Sequence, residues 1–225
     1  MHQRIEGHDL SALPTILHDY AISEIIVSST ATVTTHMRNA IQQLSSRPVV
    51  YLSHETPIPL TNAYATPATL GPDRLAAAIA SHFIAEARFG QRVATLTIDL
   101  GTAITYDLTT ADGIYLGGNI SPGMEMRFKA LHEFTDKLPR VQSEGQHPFV
   151  GNSTETAIRC GVIDGIRHEI QGFIHQISEK YTDFAVFLTG GDYLDFEEPT
   201  KKRIFAEPFL VHQGLHLILQ HITKQ

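Results

Sequence analysis

Two spacings of apolar residues divide this chain into strands and helices and predict a mixed α/β protein. Short runs rich in β-branched residues predict strands, and apolar residues that recur every three to four positions predict helices. The predicted strands are 24–28, 49–52, 93–98, 104–108, 114–120, 185–188 and 203–206, and the predicted helices are 10–20, 32–44, 75–89, 124–134, 153–177 and 210–222. Helices and strands alternate at the start of the chain, which favours a parallel sheet there.

The segment 53–70 interrupts this alternation and is predicted to be an irregular loop. A loop of that length inside a compact domain is often functional. It leads to Pro72, which suits the first turn of a helix, and Gly90 suits the end of that helix. Asp73 has an ordinary explanation, because carboxylates favour the positive end of a helix dipole. Arg74 opposes the dipole, and this mismatch favours a binding role.

Asp99 follows an apolar strand and precedes a tight turn at Gly101 and Thr102. A carboxylate supplies hard oxygen ligands for a cation, and glycine lets a ligand approach the backbone. The hydroxyls of Thr102 and Thr105 can donate to phosphate oxygens. The motif indicates either a hairpin that grips a nucleotide phosphate or an ordinary hairpin turn, and it does not by itself separate the two.

Glycine pairs mark two further predicted strands, at Gly117-Gly118 and Gly190-Gly191. Such pairs occur where backbone meets a nucleotide and also in tight connecting loops. The sequence contains no P-loop, no dinucleotide-binding glycine motif and no Gly-x-Ser-x-Gly elbow. Phosphate binding by this chain would therefore use another device.

Composition and charge narrow the class of protein. Hydrophobic residues make up 42% and charged residues 18% of the 225 residues, an ordinary globular balance. The net charge of −7 and the pI of about 6.0 argue against nucleic acid held mainly by a basic surface. No apolar run approaches the ~20 residues of a membrane helix, and the start lacks the core of a signal peptide. With a single cysteine, we expect a soluble cytoplasmic protein that binds neither nucleic acid nor membrane.

The thirteen histidines invite a search for a metal site. His168 and His175 lie seven positions apart on one predicted helix, without a cysteine or acidic partner at zinc-like spacing. A histidine metal site is therefore not expected. Cys160 falls on the apolar stripe of that helix and is interpreted as a core residue rather than a reactive thiol.

Several motifs follow one another in a fixed order. They are Asn62-x-Tyr64-x-x-Pro67, Gly71-x-Asp73-Arg74, Asp99-x-Gly101-Thr102-Ala103-x-Thr105-x-Asp107, Gly117-Gly118-x-Ile120-x-Pro122-Gly123, Leu138-Pro139, Gly151-x-x-Thr154-x-x-Ala157-x-x-x-Gly161 and Thr189-Gly190-Gly191-Asp192. From residue 24 onward, the ordered set resembles type III pantothenate kinase, which commits pantothenate to coenzyme A. The resemblance implies an α/β fold of two RNase H-like domains of the actin/Hsp70 type, here residues 1–90, N-terminally truncated, and 91–225. It also implies a homodimer.

The resemblance assigns roles to individual residues. Asp73 would be the catalytic base that accepts the proton of the pantothenate hydroxyl. The residues that would contact pantothenate are Tyr64, Gly71, Pro72, Asp73, Arg74 and Thr154. Arg74 would meet the substrate carboxylate or a phosphate oxygen as a charge-assisted donor. Asp99 would hold a monovalent cation, K⁺ or NH₄⁺, and Thr102 would touch ATP, which binds with Mg²⁺.

One motif of the family has no counterpart in this sequence. The family opens with a strand and an Asp-x-Gly-Asn-Thr/Ser-x-x-Lys turn that cradles ATP and magnesium, and on the order of 20 residues are missing here. Because Asp73, Arg74, Asp99 and Thr154 remain, we expect a misassigned start rather than a natural truncation. The 225 residues alone are expected to phosphorylate pantothenate weakly or not at all.

Two other functions are compatible with the resemblance. The first is a catalytically impaired family member that acts as a transcriptional accessory factor, although the acidic charge weighs against direct contact with DNA. The second is a sugar or acetate kinase of the same superfamily. The closely spaced module from Tyr64 to Arg74 argues against that assignment.

Overall fold

The computed structural model of this chain describes Leu13, Pro14, Tyr20, residues 22–192 and residues 203–224. The strands are β1 (Ile26–Val27), β2 (Val50–Tyr51), β3 (Thr61–Asn62), β4 (Ala94–Leu100), β5 (Ala103–Thr109), β6 (Ile114–Pro122), β7 (Phe184–Gly190) and β8 (Arg203–Ala206). The helices are α1 (Thr35–Gln42), α2 (Pro72–Phe89), α3 (Met124–Glu133), α4 (Thr154–Lys180) and α5 (Leu210–Thr223), with a 3₁₀ turn at Pro67–Thr69. This mixed α/β architecture confirms the predicted class. The helix predicted over 10–20 lies, apart from three residues, outside the described ranges.

Among the described residues, six strands form the main sheet, in the order β3-β6-β5-β4-β7-β8. Strands β4, β5 and β6 make an antiparallel meander, and β7 and β8 extend the sheet parallel to β4. Asp99 of β4 lies opposite Thr189 of β7, and Leu100 lies opposite Gly190. The carboxyl ends of these two strands therefore coincide, and such an edge is where open α/β sheets bind ligands.

Side chains alternate across β4 and divide between two helix layers. Leu96, Ile98 and Leu100 pack into the largest core cluster together with isoleucines of α4. Thr97 projects to the other face, where its hydroxyl donates to Ser81 of α2 at 2.7 Å. Asp99, two residues further along the strand, shares the face that α2 covers. Thr97 and Asp99 of β4 thus point towards α2.

The first part of the chain contributes a separate parallel strand pair, β1 and β2, in which Ile26 lies opposite Val50. This pair confirms the parallel pairing predicted from the alternating elements. Helices α2 and α5 pack closely, since a Cβ at Gly214 of α5 would lie 1.8 Å from the Ala76 carbonyl oxygen. Ile26, near Leu52, packs against the same cluster as both helices.

The segment 53–70 is not wholly irregular, and the loop prediction is wrong at its centre. Strand β3 pairs in parallel with β6, with Thr61 opposite Ile114. The Thr61 N–H donates to the Gly113 carbonyl at 2.9 Å, and the Ala63 N–H donates to the Tyr115 carbonyl at 3.0 Å. Thr61 and Asn62 are both polar, so the sequence shows no apolar alternation here. The strand forms because its backbone pairs with the edge of β6.

Across the described residues, no helix combines the length and apolar character needed to span a membrane.

Candidate active site

The first turn of α2 positions Asp73. Gly71 is the N-cap and Pro72 occupies the start of the helix. Asp73 Oδ1 accepts a hydrogen bond from the backbone N–H of Arg74 at 2.9 Å. A Cβ at Gly71 would lie only 2.6 Å from that oxygen, so this side-chain conformation requires glycine. None of the described residues donates a hydrogen bond to Asp73 Oδ2, which leaves that half-buried oxygen able to accept a proton.

Arg74, the next residue, makes a buried ion pair with Asp107 of β5. Arg74 Nη2 and Nε lie 2.7 and 3.1 Å from Asp107 Oδ1. The two side chains are 7% and 1% exposed. Burial alone would lower the pKa of Arg74, but the hydrogen bond and the charge of Asp107 raise it above its ordinary value. The pair anchors the start of α2 to the middle of the sheet.

Tyr115 of β6 completes this cluster. Its hydroxyl donates to Asp107 Oδ1 at 2.6 Å. Burial and the neighbouring Asp107 charge raise the pKa of Tyr115 well above its usual range, so the hydroxyl stays protonated and remains a donor. The buried Asp107 carboxylate is therefore held by donors from two elements, α2 and β6.

This geometry explains why an arginine stands against the helix dipole. Asp107, 33 positions along the chain, supplies the compensating charge. Two of the three guanidinium nitrogens of Arg74 are engaged by it, and the Tyr64 side chain is a further hydrogen-bond partner of the guanidinium. Arg74 can therefore offer at most one edge to a ligand.

Tyr64 lies over the same cluster. The N–H of Tyr64 donates to Asn62 Oδ1 at 3.0 Å, which accounts for the Asn-x-Tyr spacing. The Tyr64 ring stands 5.9 Å from the Arg74 guanidinium carbon and 6.3 Å from the Tyr115 ring. Gly117 has φ +96°, and a Cβ there would lie 2.6 Å from the Tyr64 ring. The Tyr64 ring can therefore pack at this position only because residue 117 is a glycine.

Asp99 adds a third carboxylate to this face of the sheet. Burial, and to a lesser extent the charges of Asp73 and Asp107, raise the pKa of Asp99 to about 6. Within the described ranges, no basic side chain and no hydrogen-bond donor is paired with the Asp99 carboxylate. A half-buried carboxylate without a donor, beside two others, fits the binding of a cation.

The glycines at the carboxyl edge of the sheet serve mainly backbone packing. The Gly123 N–H donates to the Thr102 carbonyl at 3.0 Å, and a Cβ at Gly123 would lie 2.5 Å from that oxygen. Gly190, at φ +107°, would place a Cβ 2.2 Å from the Leu100 carbonyl. Gly191 faces open space, and Thr102 is exposed in the β4–β5 turn. Both of these residues are therefore accessible to a ligand.

A cavity of about 180 Å³ opens beside the start of α2. Ser29 and Ser53, which follow β1 and β2, line it together with Asn62, Pro72 and Leu75. It lies between the first strand pair and the loop that carries Tyr64.

Thr154 is placed differently from the other predicted site residues. It is the exposed first residue of α4, and α4 packs on the face of the sheet opposite to α2. Ser153 is the N-cap of this helix, and its hydroxyl accepts a hydrogen bond from the Thr156 N–H at 3.2 Å. In the described part of the chain, no hydrogen bond joins Thr154 to the cluster around Asp73.

Sequence reasoning missed the roles of Asp107 and Tyr115. One signal was available for Asp107. Asp107 lies two positions after Thr105, on the same face of a buried strand, and a buried carboxylate requires a partner. Tyr115 gave no signal, because an aromatic residue in a strand is ordinary.

Comparison with known proteins decides the family. A sequence model of the family described as type III pantothenate kinase matches residues 6–176. The chain belongs to the type III pantothenate kinase family. A type III pantothenate kinase of Phocaeicola vulgatus is 48% identical over 221 residues, which are 98% of this chain and 89% of that protein. One of Bacteroides fragilis is 45% identical over 217 residues, 96% of this chain and 86% of that protein.

A solved structure shares the fold. It is described as a conserved putative Baf family transcriptional activator from Campylobacter jejuni, with a TM-score of 0.55 and 20% identity. The match covers 95% of this chain and 89% of that one. The family membership predicted from the ordered motifs is thus confirmed, and the chain is a member of an enzyme family of kinases.

Proposed function

We propose that this protein transfers the γ-phosphoryl group of ATP to the hydroxyl of pantothenate, giving 4′-phosphopantothenate and ADP. The observation that carries the proposal is Asp73, whose Oδ2 accepts no hydrogen bond from a described residue at the start of α2, in a member of this family. Neither the site nor the comparisons support the alternative role as a transcriptional accessory factor.

In the proposed reaction, Asp73 Oδ2 accepts the hydroxyl proton while the hydroxyl oxygen attacks the γ-phosphorus. The phosphorus–oxygen bond to ADP breaks, and ADP leaves with the bonding electrons. Phosphoryl transfer depends on positioning and charge stabilisation. The Arg74–Asp107 pair supports positioning, because it fixes the first turn of α2 to β5. The other pantothenate contacts that we propose are Tyr64, Gly71, Pro72, Arg74 and Thr154.

Cations complete the proposal. Asp99 would hold a monovalent cation, K⁺ or NH₄⁺, since its carboxylate faces the charges of Asp73 and Asp107 without a described basic partner. Mg²⁺ would accompany ATP, and Thr102 would contact the phosphates from the β4–β5 turn. The bound cations would supply positive charge to offset the charge on the transferring phosphoryl group.

The Asp99 assignment predicts a pH-dependent effect of potassium on stability. The folded-state pKa of about 6 lies above the ordinary value of 3.8, so the folded chain binds this proton more tightly than the unfolded chain. Stability is therefore lost as the pH rises through this interval, and a cation on the ionised carboxylate restores it. At pH 8, we expect a higher Tm in KCl than in tetramethylammonium chloride of equal ionic strength.

The difference in Tm should shrink at pH 5, where Asp99 is protonated, and disappear in Asp99→Asn at both pH values. Tetramethylammonium controls for ionic screening, because it is too large for a carboxylate site of this kind. An equal Tm difference in the wild type and in Asp99→Asn would show that potassium acts elsewhere.

The proposed activity is tested by single turnover with protein in excess over radiolabelled pantothenate and with ATP, Mg²⁺ and K⁺ present. This format detects slow turnover, which matters because the sequence contains no Asp-x-Gly-Asn-Thr/Ser-x-x-Lys motif. The expected product is phosphopantothenate, formed together with one equivalent of ADP. Absence of product, with no calorimetric binding of pantothenate, would overturn the proposal.

We further propose two RNase H-like domains, residues 1–90 and 91–225, in a cytoplasmic homodimer. The order β6-β5-β4-β7-β8, a meander followed by two parallel strands, supports this topology for the second domain.

Exposed apolar side chains support self-association, since Phe134, Phe149 and Val150 are 86%, 99% and 68% exposed. Sedimentation velocity should give a species of twice the chain mass.

A further inference from the structure

We propose that His147, Cys160 and Asp164 form a binding site for a transition-metal ion of the zinc class. A histidine nitrogen, the cysteine sulfur and a carboxylate oxygen of these residues all lie within 4.8 Å of one another. His147 Nε2 and Asp164 Oδ2 are 3.2 Å apart. Two zinc bonds of about 2.1 Å at a tetrahedral angle span about 3.4 Å, so these two atoms already stand at the spacing of ligands on one ion.

Two secondary-structure features bring the ligands together. Cys160 and Asp164 lie four positions apart on α4, which places them on one face of the helix. His147 comes from the segment that precedes α4. Neither feature gives a familiar zinc spacing in the sequence, which is why the histidine count alone was uninformative.

The segment that carries His147 is held in place by α4. The Arg159 side chain is 4% exposed, and its Nε and Nη1 donate to the carbonyls of Gln142 and Gln146, each at 3.0 Å. The Cys160 thiol donates to the Pro148 carbonyl at 3.0 Å. His147 is thus flanked by residues fixed to the helix, and a positioned ligand set binds metal more tightly than a loose one.

The donor set selects the class of ion. One nitrogen, one sulfur and one carboxylate oxygen suit Zn²⁺ and its spectroscopic substitute Co²⁺, whereas Mg²⁺ and Ca²⁺ prefer oxygen alone. On binding, the thiol proton leaves to solvent as the metal–sulfur bond forms. Thiolate and carboxylate then balance the two positive charges of the ion. Arg167 Nη1 donates to the other oxygen of Asp164 at 3.2 Å, an outer contact that orients the carboxylate.

This site is separate from the cluster around Asp73. It lies on α4, which covers the opposite face of the main sheet, and none of its ligands belongs to the proposed phosphoryl-transfer residues. Three protein ligands leave a fourth position for water. The ion would connect the segment before α4 to the first half of that helix and so stabilise their contact.

Cobalt binding tests the proposal directly. The full chain, stripped with chelator, is titrated with Co²⁺ under reducing conditions. We expect one equivalent to bind, with tetrahedral d–d bands in the visible and a sulfur-to-cobalt charge-transfer band in the near ultraviolet. Added Zn²⁺ should displace the cobalt and remove the d–d bands together with the charge-transfer band. The charge-transfer band reports a bond to Cys160, because the chain has a single cysteine.

Variants separate this site from adventitious binding. Cys160→Ser should abolish the charge-transfer band, and His147→Asn and Asp164→Asn should weaken zinc binding by at least about 10–100-fold, the loss seen even for outer contacts. His175→Asn is the matched control, because it removes a histidine that also faces a carboxylate, Glu179, at 3.7 Å. It should leave binding unchanged.

The absence of a charge-transfer band in the wild-type chain would overturn the proposal, as would equal loss of zinc affinity in His175→Asn. The wild-type spectrum decides even where a variant fails to fold. Circular dichroism of each variant identifies that case.

Discussion

Replacing Asp73 with Asn is expected to lower the single-turnover rate of pantothenate phosphorylation by about 10²–10⁴-fold, the usual contribution of a positioned general base. The amide cannot take the hydroxyl proton that we assign to Asp73 Oδ2. It can still accept the hydrogen bond that Oδ1 receives from the Arg74 N–H, so α2 should keep its first turn. The rate is measured by rapid quench with labelled pantothenate and protein in excess.

The matched control is Asp112→Asn, which makes the same chemical change at an exposed position. Its rate should stay within about twofold of the wild type, since surface substitutions away from a site rarely matter. Binding of pantothenate to Asp73→Asn, measured by calorimetry, should change far less than the rate. A wild-type rate in Asp73→Asn would remove this residue from the role of base.

Features fixed by local chemistry were predictable from the sequence. Helix α2 begins at Pro72 and ends just before Gly90, as predicted, because helix ends depend on a few adjacent residues. Gly90 takes the left-handed conformation, at φ +67°, that ends helices. Ser153 caps α4 for the same reason. The ordered motifs then gave the family, since their sequence order does not require knowledge of contacts.

Features that depend on distant partners were not predictable. The positions of Arg74 and Asp107 are 33 residues apart, and no periodicity links a helix start to the middle of another strand. Gly117 suggested a ligand contact, but the structure places the Tyr64 ring there. Strand β3 forms because β6 offers its edge. In each case the deciding neighbour comes from another element, which propensity and pattern do not encode.

Replacing Arg74 with Met is expected to lower the free energy of unfolding by about 3–5 kcal/mol, because it leaves the Asp107 charge buried without a compensating cation. Asp107 is 1% exposed, and its remaining described donor is the neutral hydroxyl of Tyr115. Urea denaturation at pH 7 measures the change. Arg92→Met is the control, since Arg92 pairs with Glu86 at 3.0 Å on the surface and its loss should cost less than about 1 kcal/mol.

A double-mutant cycle tests whether the loss comes from the unpaired charge. Arg74→Met combined with Asp107→Asn leaves no buried ion, so the double variant should be clearly more stable than the sum of the two single changes predicts. Additive losses would mean that the two side chains stabilise the fold independently.

The same variants separate two roles for Arg74. If it acts only as an anchor, Asp107→Asn and Arg74→Met should weaken pantothenate binding alike. If it contacts the substrate, Arg74→Met should weaken binding more.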